Sequence, residues 1–128
     1  AVKDKLLKEG FEVVDFGTDS VESVDYPGYG KAVGKAVADG EAEKGIVICG
    51  SGIGISIAAN KVKGVRCALC TSVEMAEMSR RHNDANVLSL PARFITEQQA
   101  EEIVSAFLDT AFEGGRHQPR VDKIPIHE

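Results

Sequence analysis

Residues 46–62 read IVICGSGIGISIAANKV: four apolar residues, then Gly50, Ser51, Gly52, Ile53 and Gly54, then a stretch from Ile55 to Val62 that can start a helix. A short, unbroken apolar run bounded by turn residues is the pattern of a strand buried on both faces. Three glycines at alternate positions cannot continue that strand, and they allow the backbone to turn sharply into a helix. A buried strand that feeds a glycine turn and a helix is half of a βαβ unit, so a parallel sheet is expected.

The rest of the chain repeats the alternation. Upstream, residues 1–9 carry Val2, Leu6 and Leu7 on one side and lysines mostly on the other, an amphipathic helix stopped by Gly10. Residues 11–16 (FEVVDF) read as a strand, 19–28 as a turn-rich loop holding Asp25, Tyr26 and Pro27, and 27–38 as a helix. Downstream, strands are expected at 66–70 and 86–90. Helices are expected at 72–81, with Ser72 as N-cap, and at 96–112, where Thr96 and Gln99 can form a capping box and Gly114 with Gly115 ends the helix. A short basic tail follows. Strands alternating with helices of this length imply crossovers and a sheet covered on both faces, a three-layer α/β/α sandwich. In such folds ligands bind at the carboxyl ends of the strands, where the turn after Cys49 lies.

Composition narrows the function. With 128 residues one domain is expected, spanning the whole chain. Hydrophobic residues at 43% and charged residues at 27% are those of a globular domain with a packed core. Twenty acidic against 15 basic residues give a charge of -5, so no broad attraction for nucleic acid exists and any anion site must be local. The longest uncharged stretch, residues 45–60, is shorter than the ~20 apolar residues of a spanning helix and holds four glycines. No membrane span and no signal-peptide pattern are expected, and three cysteines make a disulfide scaffold improbable. A cytoplasmic location is expected.

Several familiar chemistries fail on one residue. The turn is not a dinucleotide fingerprint, because the third glycine position is Ile55 and no acidic residue ends the next strand at Cys70. It is not a Walker loop, since no Gly-Lys-Ser/Thr follows. A cysteine phosphatase loop needs arginine six residues after Cys49, again Ile55. What remains is either a tight turn without ligand or a set of backbone amides that hold an anion or a developing oxyanion at a helix N-terminus.

The same two-sided reading applies elsewhere. Cys49 is a thiolate candidate beside a helix N-terminus, or a small core hydrophobe. Cys67 and Cys70 have C-x-x-C spacing, but three residues apart on a strand they point to opposite faces, which favours core packing over redox or zinc chemistry. Arg80, Arg81 and His82 suit the negative end of a helix, with Asn83 as the left-handed stop; His82 is equally a general acid or base. Arg116 and Arg120, four apart around His117, can present two planar forks to one phosphate or form a solvated tail. Tyr26 offers an apolar face to a sugar ring.

Taken together, Asp25-Tyr26-Pro27, Cys49-Gly50-Ser51-Gly52-Ile53-Gly54 with Ala58-Ala59-Asn60-Lys61, His82 through Leu88 (HNDANVL), and Glu113-Gly114-Gly115-Arg116-His117 resemble the ribose-5-phosphate isomerase B family, in order and spacing over nearly the whole chain. The resemblance implies a Rossmann-like fold and a metal-independent, cofactor-free aldose–ketose isomerase of the pentose phosphate pathway. It also implies a small sugar phosphate as partner, and a homodimer, or a tetramer, with sites built from both subunits. It assigns Cys49 as base, Ser51 as the hydroxyl that moves protons at the sugar oxygens, and His82 as the ring-opening acid/base. The amides of Gly50, Gly52, Ile53 and Gly54 become the enediolate loop, Asn83 an oxygen ligand, Tyr26 the ring neighbour, and Arg116 and Arg120 the phosphate clamp with Arg93 as helper. Family members usually carry Thr where Ser51 stands. A second branch places a carboxylate base near Ile55, so this chain resembles the cysteine branch. The family's opening strand, ending Asp-His-Ala-Gly, has no counterpart here, and the expectation is a chain that lacks that strand. The same resemblance covers a subunit of a galactose- or allose-type hexose-6-phosphate isomerase; the alternative from a different class is a non-catalytic sugar-phosphate- or nucleotide-binding module that keeps the fold and the loop.

Overall fold

The computed structural model describes residues 26–125, together with Val2, Leu6 and Lys8. The expected strand at 11–16 and the loop holding Asp25 lie outside the described residues. Of the helix expected at 1–9, the three described residues are helical, and Leu6 is buried in the core. From residue 26 the order is α1 (Tyr26–Ala38), β1 (Gly45–Cys49), α2 (Ile53–Asn60), β2 (Cys67–Leu69), α3 (Val73–Asn83), β3 (Val87–Pro91), α4 (Glu97–Asp109), a 3-10 turn (Gly115–His117) and α5 (Gln118–Asp122).

Among the described residues the sheet runs β1-β3-β2, all parallel, with Gly45 and Cys67 both level with Val87 and Cys49 level with Pro91. β3 is central and every residue of it is buried. Its alternation serves two cores. Leu88 and Leu90 face Ala76 of α3 and Ile103, Val104 and Phe107 of α4. Val87, on the opposite face, packs with Val47, Val37 of α1, and Ile55 and Ala59 of α2. Helices on both faces of a parallel sheet make the expected three-layer α/β/α, Rossmann-like sandwich.

Local signals explain most boundaries. Ser72 Oγ accepts from Met75 N–H at 3.2 Å, and Thr96 and Gln99 close a full capping box, each such cap contributing roughly 0.5–2 kcal/mol. Two helix ends differ from expectation. α3 stops on Asp84, not Asn83, in the left-handed region (φ 47°). Its carboxylate there accepts from Arg80 at 2.8 Å, while Arg66 Nε donates to its carbonyl at 2.9 Å. α4 ends at Asp109, short of Phe112. Arg80 Nε takes the Thr110 carbonyl at 3.0 Å and Thr110 Oγ1 donates back to the Ala106 carbonyl at 2.6 Å, which draws the chain off the helix axis. The glycines at 114 and 115 therefore shape the turn that follows and do not cap the helix. That tail is ordered as the 3-10 turn and α5.

Candidate active site

The expected site residues fall into two groups at opposite ends of the sheet. The first sits at the carboxyl end of β1. Cys49 is half-buried, its flank packed against the Val47, Val87 and Ala59 core. The ladder with the β3 side continues beyond the strands: Ala92 N–H donates to the Cys49 carbonyl at 2.8 Å and Arg93 N–H to the Gly50 carbonyl at 2.9 Å. Arg93 lies directly over Gly50, where a Cβ would stand 2.9 Å from Nε. Only glycine lets that guanidinium lie so close to the turn.

Gly52 caps α2 with φ 72°, and a Cβ there would stand 2.7 Å from Leu69 Cδ1. Its carbonyl is held inward by the buried Ser89 hydroxyl, which donates at 2.7 Å, and by Ser56 N–H at 3.2 Å. A trans peptide directs its N–H opposite to its C=O, so the Ile53 N–H points outward; it donates to Ser51 Oγ at 3.2 Å. With its lone pair engaged, Ser51 keeps its own hydroxyl proton to donate elsewhere. First-turn amides of a helix lack intrahelical acceptors, and α2 begins only four residues after Cys49. Ser89 is a supporting residue that pattern reading missed, since a serine in an apolar strand carries no local mark of what its hydroxyl holds.

The second group forms at the amino end. α3 delivers His82, half-buried, and Asn83, exposed. Glu113 N–H donates to the Arg81 carbonyl at 3.1 Å, which brings the tail alongside. His117, only 7% exposed, stacks on His82 with ring centroids 4.3 Å apart and planes 17° from parallel. Burial holds the His117 imidazole below its ordinary value, and His82, Arg116 and Arg120 push the same way, against the Glu113 carboxylate. Arg116 and Arg120 are exposed around it. Tyr26 opens α1.

His82, Glu113 and His117 offer donor atoms within 4.8 Å of one another. Imidazole lone pairs lie in the ring plane, however, and two nearly parallel planes do not converge on one ion at the ~2.0–2.1 Å a zinc site requires. As arranged, the set suits stacking and proton exchange more than metal binding.

Cys49 and His82 are thus separated within one chain by the length of the strands, since β1 ends at Cys49 and α3 returns His82 to the side where β3 begins. Five residues of strand span about 16 Å.

Residues 1–124 match the family model described as Ribose/Galactose Isomerase. The chain belongs to that family. It is 50% identical over 123 residues to ribose-5-phosphate isomerase B of Escherichia coli (strain K12), an overlap of 96% of this chain and 83% of the relative. Its fold matches ribose-5-phosphate isomerase B of Clostridium thermocellum with a TM-score of 0.94 at 56% identity, covering 96% of this chain and 83% of that one. The Mycoplasma genitalium ribose-5-phosphate isomerase B with bound ribulose-5-phosphate matches with a TM-score of 0.92 at 44% identity, covering 96% and 82%. The resemblance carried by the four motifs is borne out, and with it an aldose–ketose isomerase. Among the described residues no helix is long and apolar enough to cross a membrane.

This member of the family carries its other two thiols as structure. Cys70 is buried in the core on the α3/α4 face and Cys67 packs toward the α1/α2 face, so the C-x-x-C spacing divides them as expected. Burial pushes Cys67 up to about 12, with Cys70 adding to it, and burial pushes Cys70 up to about 11 against a hydrogen bond from Ser79. Both stand above their ordinary value of 9.0. Below pH 9 both are protonated folded and unfolded alike, so their contribution to stability is fully present. As pH rises from 9.0 toward the folded values the unfolded chain loses its protons first, and over that window each thiol removes up to about 1.4 kcal/mol per pH unit. Urea midpoints are expected to fall from pH 9 to 10.5 and to flatten in Cys70→Ala; equal slopes in both proteins would contradict this.

Proposed function

We propose that the chain interconverts ribose 5-phosphate and ribulose 5-phosphate through an enediolate, with Cys49 as base. The observation that supports this best is the place of Cys49: a half-buried sulfur at the carboxyl end of β1, beside a glycine turn held by Arg93 and Ser89.

In this reading the two groups of residues meet across two copies of the chain. His82 of one copy opens the furanose ring, taking a proton from the C1 hydroxyl and giving one to the ring oxygen. The Cys49 thiolate of the other removes the C2 proton, becomes a thiol, and returns that proton to C1. Ser51 passes a proton from O2 to O1, so the isomerisation balances with no external oxidant or reductant. The turn amides of Gly50, Gly52 and Gly54 stabilise the enediolate, where one such donor is worth roughly 2.7–4 kcal/mol. Ile53 acts through Ser51. Asn83 holds a sugar oxygen and Tyr26 borders the ring. Arg116 and Arg120 clamp the phosphate with help from Arg93, and binding energy at that remote group fixes C2 against the sulfur. A homodimer supplies the missing half, and the exposed Ile53 and Ile57, one helical turn apart on α2 beside the glycine turn, give it an apolar surface to cover. The expected setting is the cytoplasm.

The test is a coupled assay on ribose 5-phosphate with a chelator present, run in both directions. Ribulose 5-phosphate has its C5 hydroxyl esterified and so has no five-membered ring to open. His82→Ala is expected to lose roughly 10²-fold on ribose 5-phosphate and much less from the ketose. Equal losses would remove His82 from ring opening, and binding without turnover would favour a sugar-phosphate-binding module. A second reading follows from the divided site: the missing half can come from a different chain, as in a hexose-6-phosphate isomerase. Inactivity of the purified chain on pentose and hexose phosphates, restored by a related chain, would support it.

A further inference from the structure

The central strand β3 is buried throughout, yet it carries a hydroxyl at its middle residue. Ser89 is 0% exposed and level with Val47 of β1 and Leu69 of β2, and it shares with Val87 the face that packs against α2. A buried hydroxyl is costly unless it finds a partner, and among the described residues this one has the Gly52 carbonyl at 2.7 Å. A carbonyl only accepts, so the hydroxyl donates. Gly52 is wedged at that point: a Cβ would stand 3.1 Å from Ser89 Oγ and 3.2 Å from the Leu90 carbonyl carbon.

The contact matters because of where the peptide leads. The same Gly52–Ile53 peptide presents its N–H to Ser51 Oγ at 3.2 Å, so one rigid plane links a hydroxyl inside the sheet to a hydroxyl at the turn. The backbone resists rotation of that plane only weakly, since Gly52, at φ 72°, passes easily between conformations. Two bonds lock it. Ser56 N–H reaches the Gly52 carbonyl from within α2 at 3.2 Å, and Ser89 supplies the shorter bond, anchored in a neighbouring strand.

We propose that Ser89 is a positioning residue for Ser51: its hydroxyl fixes the Gly52–Ile53 peptide, whose N–H holds the Ser51 oxygen and leaves the Ser51 proton for the sugar oxygens. The inference rests on Ser51 as the group that passes a proton between O2 and O1. Ser89, inside the sheet, acts only through the loop. Its loss therefore leaves substrate binding in place and slows the step that Ser51 serves, which both directions of the reaction share.

Two variants separate the hydrogen bond from the packing. Ser89→Ala removes the donor, and Ser89→Cys fills the same space with a weak one. Ser89→Ala is expected to lower kcat about tenfold in both directions, with KM within about twofold. Ser89→Cys is expected to lose about as much. Ser51→Ala is expected to lose about 10²-fold, and adding Ser89→Ala to it should cost less than about twofold more. Unchanged turnover in Ser89→Ala, a loss that falls on KM, a Cys variant at the wild-type rate, or losses that multiply in the double variant would each overturn the proposal. Should Ser89→Ala not fold, Ser89→Cys takes its place in each comparison. Should the wild-type chain not turn over sugar phosphates, or Ser51→Ala match it, the reading of Ser51 fails separately, and the positioning claim is decided by the amide signal of Ile53 in nitrogen-15 spectra. Its proton is expected to shift upfield in Ser89→Ala, in the direction that Ser51→Ala produces by removing its acceptor, and an unmoved signal would sink the claim.

Discussion

Cys49→Ala is expected to lose at least about 10³-fold in turnover in both directions while folding as before. With Cys49 as the proposed base, its removal blocks the carbon-bound proton transfer itself, which neither direction can bypass, unlike the ring-opening step. Amides, phosphate clamp and His82 are all left in place, so substrate binding should change little and the loss should fall on kcat. The fold should tolerate the change. Cys49 is half-buried, and only one flank of it packs on the α1/α2 core, so the small gap costs about 1 kcal/mol. The check is paired: kinetics in both directions, and a urea titration. Near-normal turnover in the variant would take Cys49 out of the mechanism, and a collapsed midpoint would make it a structural residue.

The second large effect is a gain. Two dead proteins, Cys49→Ala and His82→Ala, are each expected to be nearly inactive on ribose 5-phosphate, and co-expression should revive activity. If sites form between copies, a mixed dimer has one site with both defects and one with neither. With random pairing, half of the dimers are mixed and half of their sites are whole, so activity should reach about a quarter of wild type. A site contained within one chain predicts no revival at all. The geometry favours the first outcome, because one chain puts its sulfur and its half-buried imidazole at opposite ends of β1 and β3.

Much of this was legible in the residues. The run from Ile46 to Gly54 announces a strand and a glycine turn into a helix, though not that the strand lies at the edge of the described sheet with Ile48 48% exposed rather than buried on both faces; the caps at Ser72 and Thr96 are local chemistry that a chain obeys wherever it folds. What escaped reading is long-range. Asp84 takes the left-handed position from Asn83 because two arginines, one of them 18 residues away, bind it there. α4 stops early because Arg80, 30 residues back, claims the Thr110 carbonyl. The His82–His117 stack joins residues on separate elements, and no periodicity along the chain can report such a meeting. The partition of the site into two ends is likewise a property of topology: it requires knowing which way α3 runs past β3.

That partition also governs how such an enzyme responds to its own abundance. If each active centre draws on two molecules, rate per milligram should collapse on dilution below the dissociation constant of the pair, well before any chain unfolds. Disassembly would then act as an off state that leaves every individual molecule intact and ready to resume work on reconcentration.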